Sequence, residues 1–66
     1  MNAEAVTVFK LALEIFPESA NLYDSLGEAF MKVGEKNRAI ESYQKSLELN
    51  PDNENAKKNL DELIKK

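Results

Sequence analysis

The residues in this chain whose types and spacing could do chemistry are carboxylates. Twelve of its 66 residues are Asp or Glu. Asp24 and Glu28 are four residues apart, which puts both on one face if the segment is helical. Two carboxylates on one face can share acid–base work or hold a cation. Both tasks need burial and a supporting shell of hydrogen-bonding groups, and the surrounding sequence indicates neither, so the pair reads as a solvated helix face. Asp52, Asn53 and Glu54 superficially resemble part of a calcium loop. They lack the ligand spacing and the glycine of the twelve-residue loop, and helix capping accounts for them. The chain has no histidine and no cysteine. That removes the commonest metal ligand and the usual general base, together with any disulfide. No catalytic, cofactor-binding or metal-ligating residue is assigned.

The composition bounds the partners as well. A net charge of −3 disfavours nucleic acid and anionic membranes, which call for a basic patch. No uninterrupted apolar run approaches the ~20 residues that cross a bilayer. The N-terminal "MNAEAVTVFK" lacks a basic region followed by an apolar stretch, so it does not read as a secretory signal. With no targeting segment, a cytoplasmic location is the default expectation. With 42% apolar and 32% charged residues, the composition suits a soluble helical domain. A domain this short buries only about 60% of the surface that its unfolded chain exposes, so its stability is expected to be marginal.

The elements follow from the punctuation. "FPESAN" (16–21) and "LNPDNEN" (49–55) each place a proline before cap-forming residues. Ser19 and Asn53 are the expected N-caps, because their side chains can accept from orphan helix N–H groups. "VGEKN" (33–37) holds Gly34, a natural helix terminator. No segment alternates as a strand would. The chain is predicted to form four helices, roughly 2–15, 20–33, 37–50 and 54–65. The pairs Glu28–Lys32, Glu41–Lys45, Glu54–Lys58 and Asp61–Lys65 stand at the favoured i,i+4 spacing.

Gly27 is awkward in this scheme. It lies between Leu26 and Phe30 on the apolar stripe of the second helix, where glycine costs about 0.8–1 kcal/mol relative to alanine. Its reason emerges when the chain is laid on itself with an offset of 34. Ala5 then meets Ala39, Phe9 meets Tyr43, Ala12 meets Ser46, Leu13 meets Leu47 and Glu14 meets Glu48. Pro17 meets Pro51, Asn21 meets Asn55, Leu26 meets Leu60, and Phe30 meets Ile64. A gapless period near 34 with two helices per unit marks a helical solenoid. Tyr23, Leu26, Gly27 and Phe30, followed by Ala39, Tyr43 and Pro51, resemble the tetratricopeptide repeat (TPR) pattern. Tyr23 stands where tryptophan is usual, and Ser46 where alanine is usual. The resemblance implies an all-α fold of four antiparallel helices. Residues 2–19 form the second half of a repeat, 20–53 a full repeat, and 54–66 a C-terminal capping helix. It also implies a close helix crossing, with Gly27 against Ala39 and with Tyr23, Phe30 and Tyr43 packed around it.

The two ends depart from the repeat in opposite ways. Lys57 and Asp61 replace the counterparts of Tyr23 and Gly27, as expected of a capping helix that faces water. Ala56, Leu60, Leu63 and Ile64 keep one apolar stripe. The first helix instead has Thr7, Val8, Leu11 and Phe16 where the third has Glu41, Ser42, Lys45 and Asn50. With Ala5, Val6, Phe9, Ala12, Leu13 and Ile15 added, it is apolar on nearly every side, the mark of a buried helix. Val8, Phe9, Leu11 and Phe16 are therefore expected to meet either a missing upstream domain or a second copy of the chain. That second copy would form a homodimer, simple or domain-swapped.

A narrower resemblance concerns "ESANLYDSLGEAF" and "AIESYQKSLELNPDNENAKKNLDELIKK". They are similar to helical tails at the C-termini of some bacterial serine hydrolases of the beta-lactamase-like group. The S-x-x-K nucleophile motif of that group does not occur here, so no catalytic residue is carried over. In the repeat family the concave surface binds. Here that surface would comprise Asn21, Asp24, Ser25, Glu28, Met31 and Lys32, continued by Asn55, Lys58, Asn59 and Glu62. Asp24 and Glu28 are acidic where the family's carboxylate clamp needs cations and amides, so no clamp is expected. The expected function is a protein–protein interaction or scaffold module without catalytic activity, whose partner is a protein or peptide. The alternative is a structural or dimerisation appendage of a larger bacterial enzyme.

Overall fold

The computed structural model describes residues 2–65. Four helices make up the chain: α1 (Asn2–Ile15), α2 (Ala20–Lys32), α3 (Lys36–Leu49) and α4 (Glu54–Ile64). Each differs from its expected bounds by at most one residue at either end. The caps explain the agreement. The Ser19 side chain accepts from the Leu22 N–H at 3.2 Å, and Asn53 Oδ1 accepts from the Ala56 N–H at 3.2 Å. Each satisfies one of the donors that a helix start leaves orphaned.

Gly34 ends α2 in the left-handed region, at φ 83°. Its N–H donates to the Met31 carbonyl at 3.1 Å, and the Glu35 N–H donates to the Phe30 carbonyl at 2.9 Å. These two bonds define a Schellman turn and satisfy the last carbonyls of the helix. A Cβ at Gly34 would meet nothing within 4 Å, so only backbone strain opposes substitution. Gly34→Ala should lower the unfolding free energy by about 1–2 kcal/mol, read by urea denaturation, with Gly34→Asn recovering part of the loss.

Successive helices run antiparallel and pack in chain order, α1 on α2, α2 on α3 and α3 on α4. The buried core is Leu26, Phe30, Ala39, Tyr43 and Ala56, with Val6, Phe9, Leu13, Tyr23, Leu47, Leu60 and Leu63 packed around it. Lys10 reaches from α1 across the Phe30 ring, 5.6 Å from its centroid. Lys57 and Asp61 on α4 are exposed. Lys45 Nζ lies 3.6 Å from Glu48, so this lysine turns toward its C-terminal neighbour rather than the expected Glu41.

Gly27 is buried at a close approach, and the atoms nearest to it across the crossing belong to Tyr43 rather than to the expected Ala39. A Cβ built at Gly27 would lie 2.8 Å from Cε1 and Cζ of Tyr43 and 2.9 Å from Cδ1. The ring of Tyr43 is pressed on the bare backbone of α2, and Ala39 is fully buried in the same core. A flat ring needs more clearance than a methyl group, so it takes the gap that the missing Cβ leaves.

Candidate functional site

The residues expected on the inner surface divide into three groups. The first is engaged in holding the helices together. Asn55 Nδ2 donates to both carboxylate oxygens of Asp24, at 3.1 and 3.0 Å. Asn53 Nδ2 donates to Asp24 at 3.2 Å and to Ser46 Oγ at 3.0 Å. Ser46 Oγ in turn donates to the Ala20 carbonyl at 2.8 Å. This chain of bonds joins the start of α2, the end of α3 and the start of α4. Ser46 is fully buried, and a buried hydroxyl is tolerated only when it is bonded. This role of Ser46, and the part Asn53 plays beyond its cap, do not follow from local sequence. A hydroxyl at a position where the repeat pattern wants alanine was the available signal.

The second group lines a cavity. Met31 from α2, Tyr43 from α3, and Asn59, Glu62 and Leu63 from α4 surround about 70 Å³. Tyr43 is a core aromatic, at 2% exposure. It also passes between α2 and α4 over Gly27 and reaches the cavity. Burial pushes its phenol up to about 12, and the negative charges of Glu28 and then Asp24 add to the effect. A pKa raised on folding stabilises the fold fully below the unfolded value near 10, and that contribution is lost as pH rises toward the folded value. Tyrosinate absorbance should therefore report a late-ionising phenol that titrates together with alkaline unfolding between about pH 10 and 12.

The third group is dispersed. Asn21, Glu28 and Lys32 are exposed along α2, and Ser25 is half-buried. Lys58 lines a shallow groove on α4 with Glu54, Lys57, Asp61, Glu62 and Lys65, so it belongs more to the flank of that helix than to the cavity. Among the described residues, no cluster of three or more Asp or Glu side chains could hold a metal ion.

The first helix presents a second surface. Val8, Leu11, Ile15 and Phe16 are all more than half exposed. Phe9, expected on the same surface, is instead half-buried and packs against the core. One residue along a helix is a rotation of about 100°, so Val8 and Phe9 cannot share a face. Ile15, seven residues from Val8, replaces Phe9 on the outward stripe and is 71% exposed.

The sequence that builds this four-helix arrangement is similar to that of known proteins. The family model described as "Tetratricopeptide repeat" matches residues 20–53, just over half of the chain. Superkiller complex protein 3 of Mus musculus is 39% identical over 51 residues, covering 77% of this chain and 3% of that protein. Small glutamine-rich tetratricopeptide repeat-containing protein 2 of Mycosarcoma maydis is 39% identical over 56 residues, covering 85% and 16%. Protein arginine N-methyltransferase 9 of Homo sapiens is 35% identical over 51 residues, covering 77% and 6%. The chain thus spans a small part, between 3% and 16%, of these relatives. Repeat length, helix order and the family match agree: the chain belongs to the tetratricopeptide repeat family.

Proposed function

We propose that this chain is a protein–protein interaction module whose α2–α4 surface takes a segment of a partner protein and that performs no catalysis itself. The observation that carries this reading is the repeat match over residues 20–53, because TPR helices serve as scaffolds for partner proteins. The cavity on that surface, with walls from three helices, supports it. One relative is named for methyltransferase activity, but the matched segment is 6% of that protein, too little to carry the activity over. The reading is tested with peptides of random sequence and blocked ends, selected on the chain. The selected peptides should lose at least about tenfold in affinity, about 1.4 kcal/mol, on Met31→Glu with Asn59→Arg. Unchanged binding to that variant would remove the α2–α4 surface from the proposal.

A second reading is favoured by α1. Under the internal offset of 34, Val8 corresponds to Ser42, which is 5% exposed, whereas Val8 is 59% exposed. α3 is flanked by α2 and α4, while α1 packs chiefly on α2. Full burial of each such apolar side chain is worth about 1.5–3 kcal/mol. A second copy of the chain would cover this stripe with one self-complementary patch, either by simple pairing or by a swap through the "VGEKN" turn. An upstream domain would cover it equally, as in an appendage of a larger enzyme such as the bacterial hydrolases whose tails this sequence resembles. Sedimentation should show a dimer at high micromolar concentration, abolished by Val8→Glu with Leu11→Lys. A clean monomer of the parent chain would leave only the upstream-domain form of this reading.

A further inference from the structure

We propose that the cavity between α2, α3 and α4 anchors the ammonium group of a lysine side chain of the bound protein segment. This inference rests on the α2–α4 surface being the one that binds. Three features of the cavity select that chemistry.

The first is an unused acceptor at the tip of a buried side chain. Tyr43 lines the cavity and is 2% exposed. None of the side-chain hydrogen bonds formed among the described residues uses its hydroxyl. No buried polar atom among them lacks a partner, so the hydroxyl keeps some access to solvent, and because Tyr43 lines the cavity we place that access there. It is held there by the contact of its ring with Gly27. Asn59 and Glu62 stand on the same wall. Tyr43 Oη, Asn59 Oδ1 and the Glu62 carboxylate together offer three acceptors, and an ammonium has three donors.

The second feature is the sign of the local charge. Glu62 belongs to the cavity, and Glu28 and Asp24 act on Tyr43 strongly enough to oppose its ionisation. Lys32 is already engaged in an interaction of its own, and Lys58 lies in the flanking groove of α4. Glu62 also borders that groove and its lysines, but no cation lines the cavity itself, so an anionic group is disfavoured here and a cation finds a counter-charge.

The third is shape. About 70 Å³ is room for roughly two waters, enough for an ammonium and an adjoining methylene but not for a free metabolite. Met31 and Leu63 supply apolar walls of the kind along which a lysine stem lies while its charged tip seeks polar groups.

The test is a nuclear magnetic resonance titration of the full 15N-labelled chain with n-butylammonium, which reproduces the end of a lysine side chain, against n-butanol. The expected result is saturable shifts centred on Met31, Asn59, Glu62 and Leu63 with butylammonium alone. Affinity should fall at least about fivefold in Glu62→Gln, an exposed substitution that leaves the fold intact, and similarly in Tyr43→Phe, which keeps the ring on Gly27. Equal shifts with butanol, shifts centred elsewhere, or unchanged affinity in Glu62→Gln would each overturn the proposal. The random-peptide selection separates this failure from that of the broader reading. Peptides that bind the α2–α4 surface without enrichment of lysine would overturn the lysine anchor and leave the binding surface standing. Peptides that bind only elsewhere would remove both.

Discussion

Gly27→Leu is expected to lower the unfolding free energy by about 3 kcal/mol or more, the upper end of what overpacking a tight core commonly costs. The geometry is unforgiving at the first added atom. A Cβ alone would stand 2.8 Å from two atoms of the Tyr43 ring, and the ring is 2% exposed, so it can withdraw only by repacking against its neighbours. Gly27→Ala separates the two effects at this position. Alanine gains up to about 1 kcal/mol in helix propensity, and the ring clash opposes it. In the parent chain Gly27→Ala should be net destabilising. In a Tyr43→Leu background the clash is relieved, and the same substitution should become stabilising. Urea denaturation of the four proteins in this cycle measures the sign change directly. A Gly27→Leu variant that melts like the parent would mean that the ring does not occupy this gap.

Asn53→Ala is expected to cost about 2–3 kcal/mol, because one side chain performs two tasks. Its carbonyl oxygen caps α4 through the Ala56 N–H. Its amide nitrogen donates to Ser46 and Asp24. Loss of an N-cap alone costs about 1 kcal/mol, and a hydrogen bond to a charged group contributes about 1.5–3 kcal/mol. Asn53→Asp divides the tasks. It retains a cap oxygen but removes the amide donor and sets a second carboxylate beside Asp24. If the interhelix bonds contribute, Asn53→Asp should be nearly as destabilising as Asn53→Ala, despite aspartate being as good a cap as asparagine. If the cap were the whole role, Asn53→Asp would be close to neutral. Thermal melting of the two variants at neutral pH distinguishes these results.

The proposed partner surface follows from the same packing. Tyr43 reaches the inner surface because Gly27 offers it a path. Asp24 is held by Asn53 and Asn55, which fixes α4 against α2. A change at position 27, 46 or 53 is therefore expected to alter both the stability of the repeat and the shape of the cavity lined by Met31, Asn59 and Glu62.

The helices and their order were legible in the sequence because the signals are local. Ser19 and Asn53 cap whatever helix follows them, Gly34 is suited to the left-handed turn after α2, and the offset of 34 aligns one pair of helices with the next. Those cues depend on neighbours a few residues away, and they survive without knowledge of the rest of the chain. The tertiary structure alone decided what fills the spaces between helices. Ala39 and Tyr43 are both apolar residues on the inner side of α3, and the sequence does not say which one lies over Gly27. The crossing geometry does. The amide of Asn53 finds Ser46, seven residues away, and Asp24, twenty-nine residues away, a meeting that no local pattern encodes. On α1 the composition declared an apolar surplus, yet only the packed helix could show that Phe9 turns inward and Ile15 outward. Each depends on how one helix is rotated against its neighbour, and that rotation is a property of the assembled core rather than of any one segment.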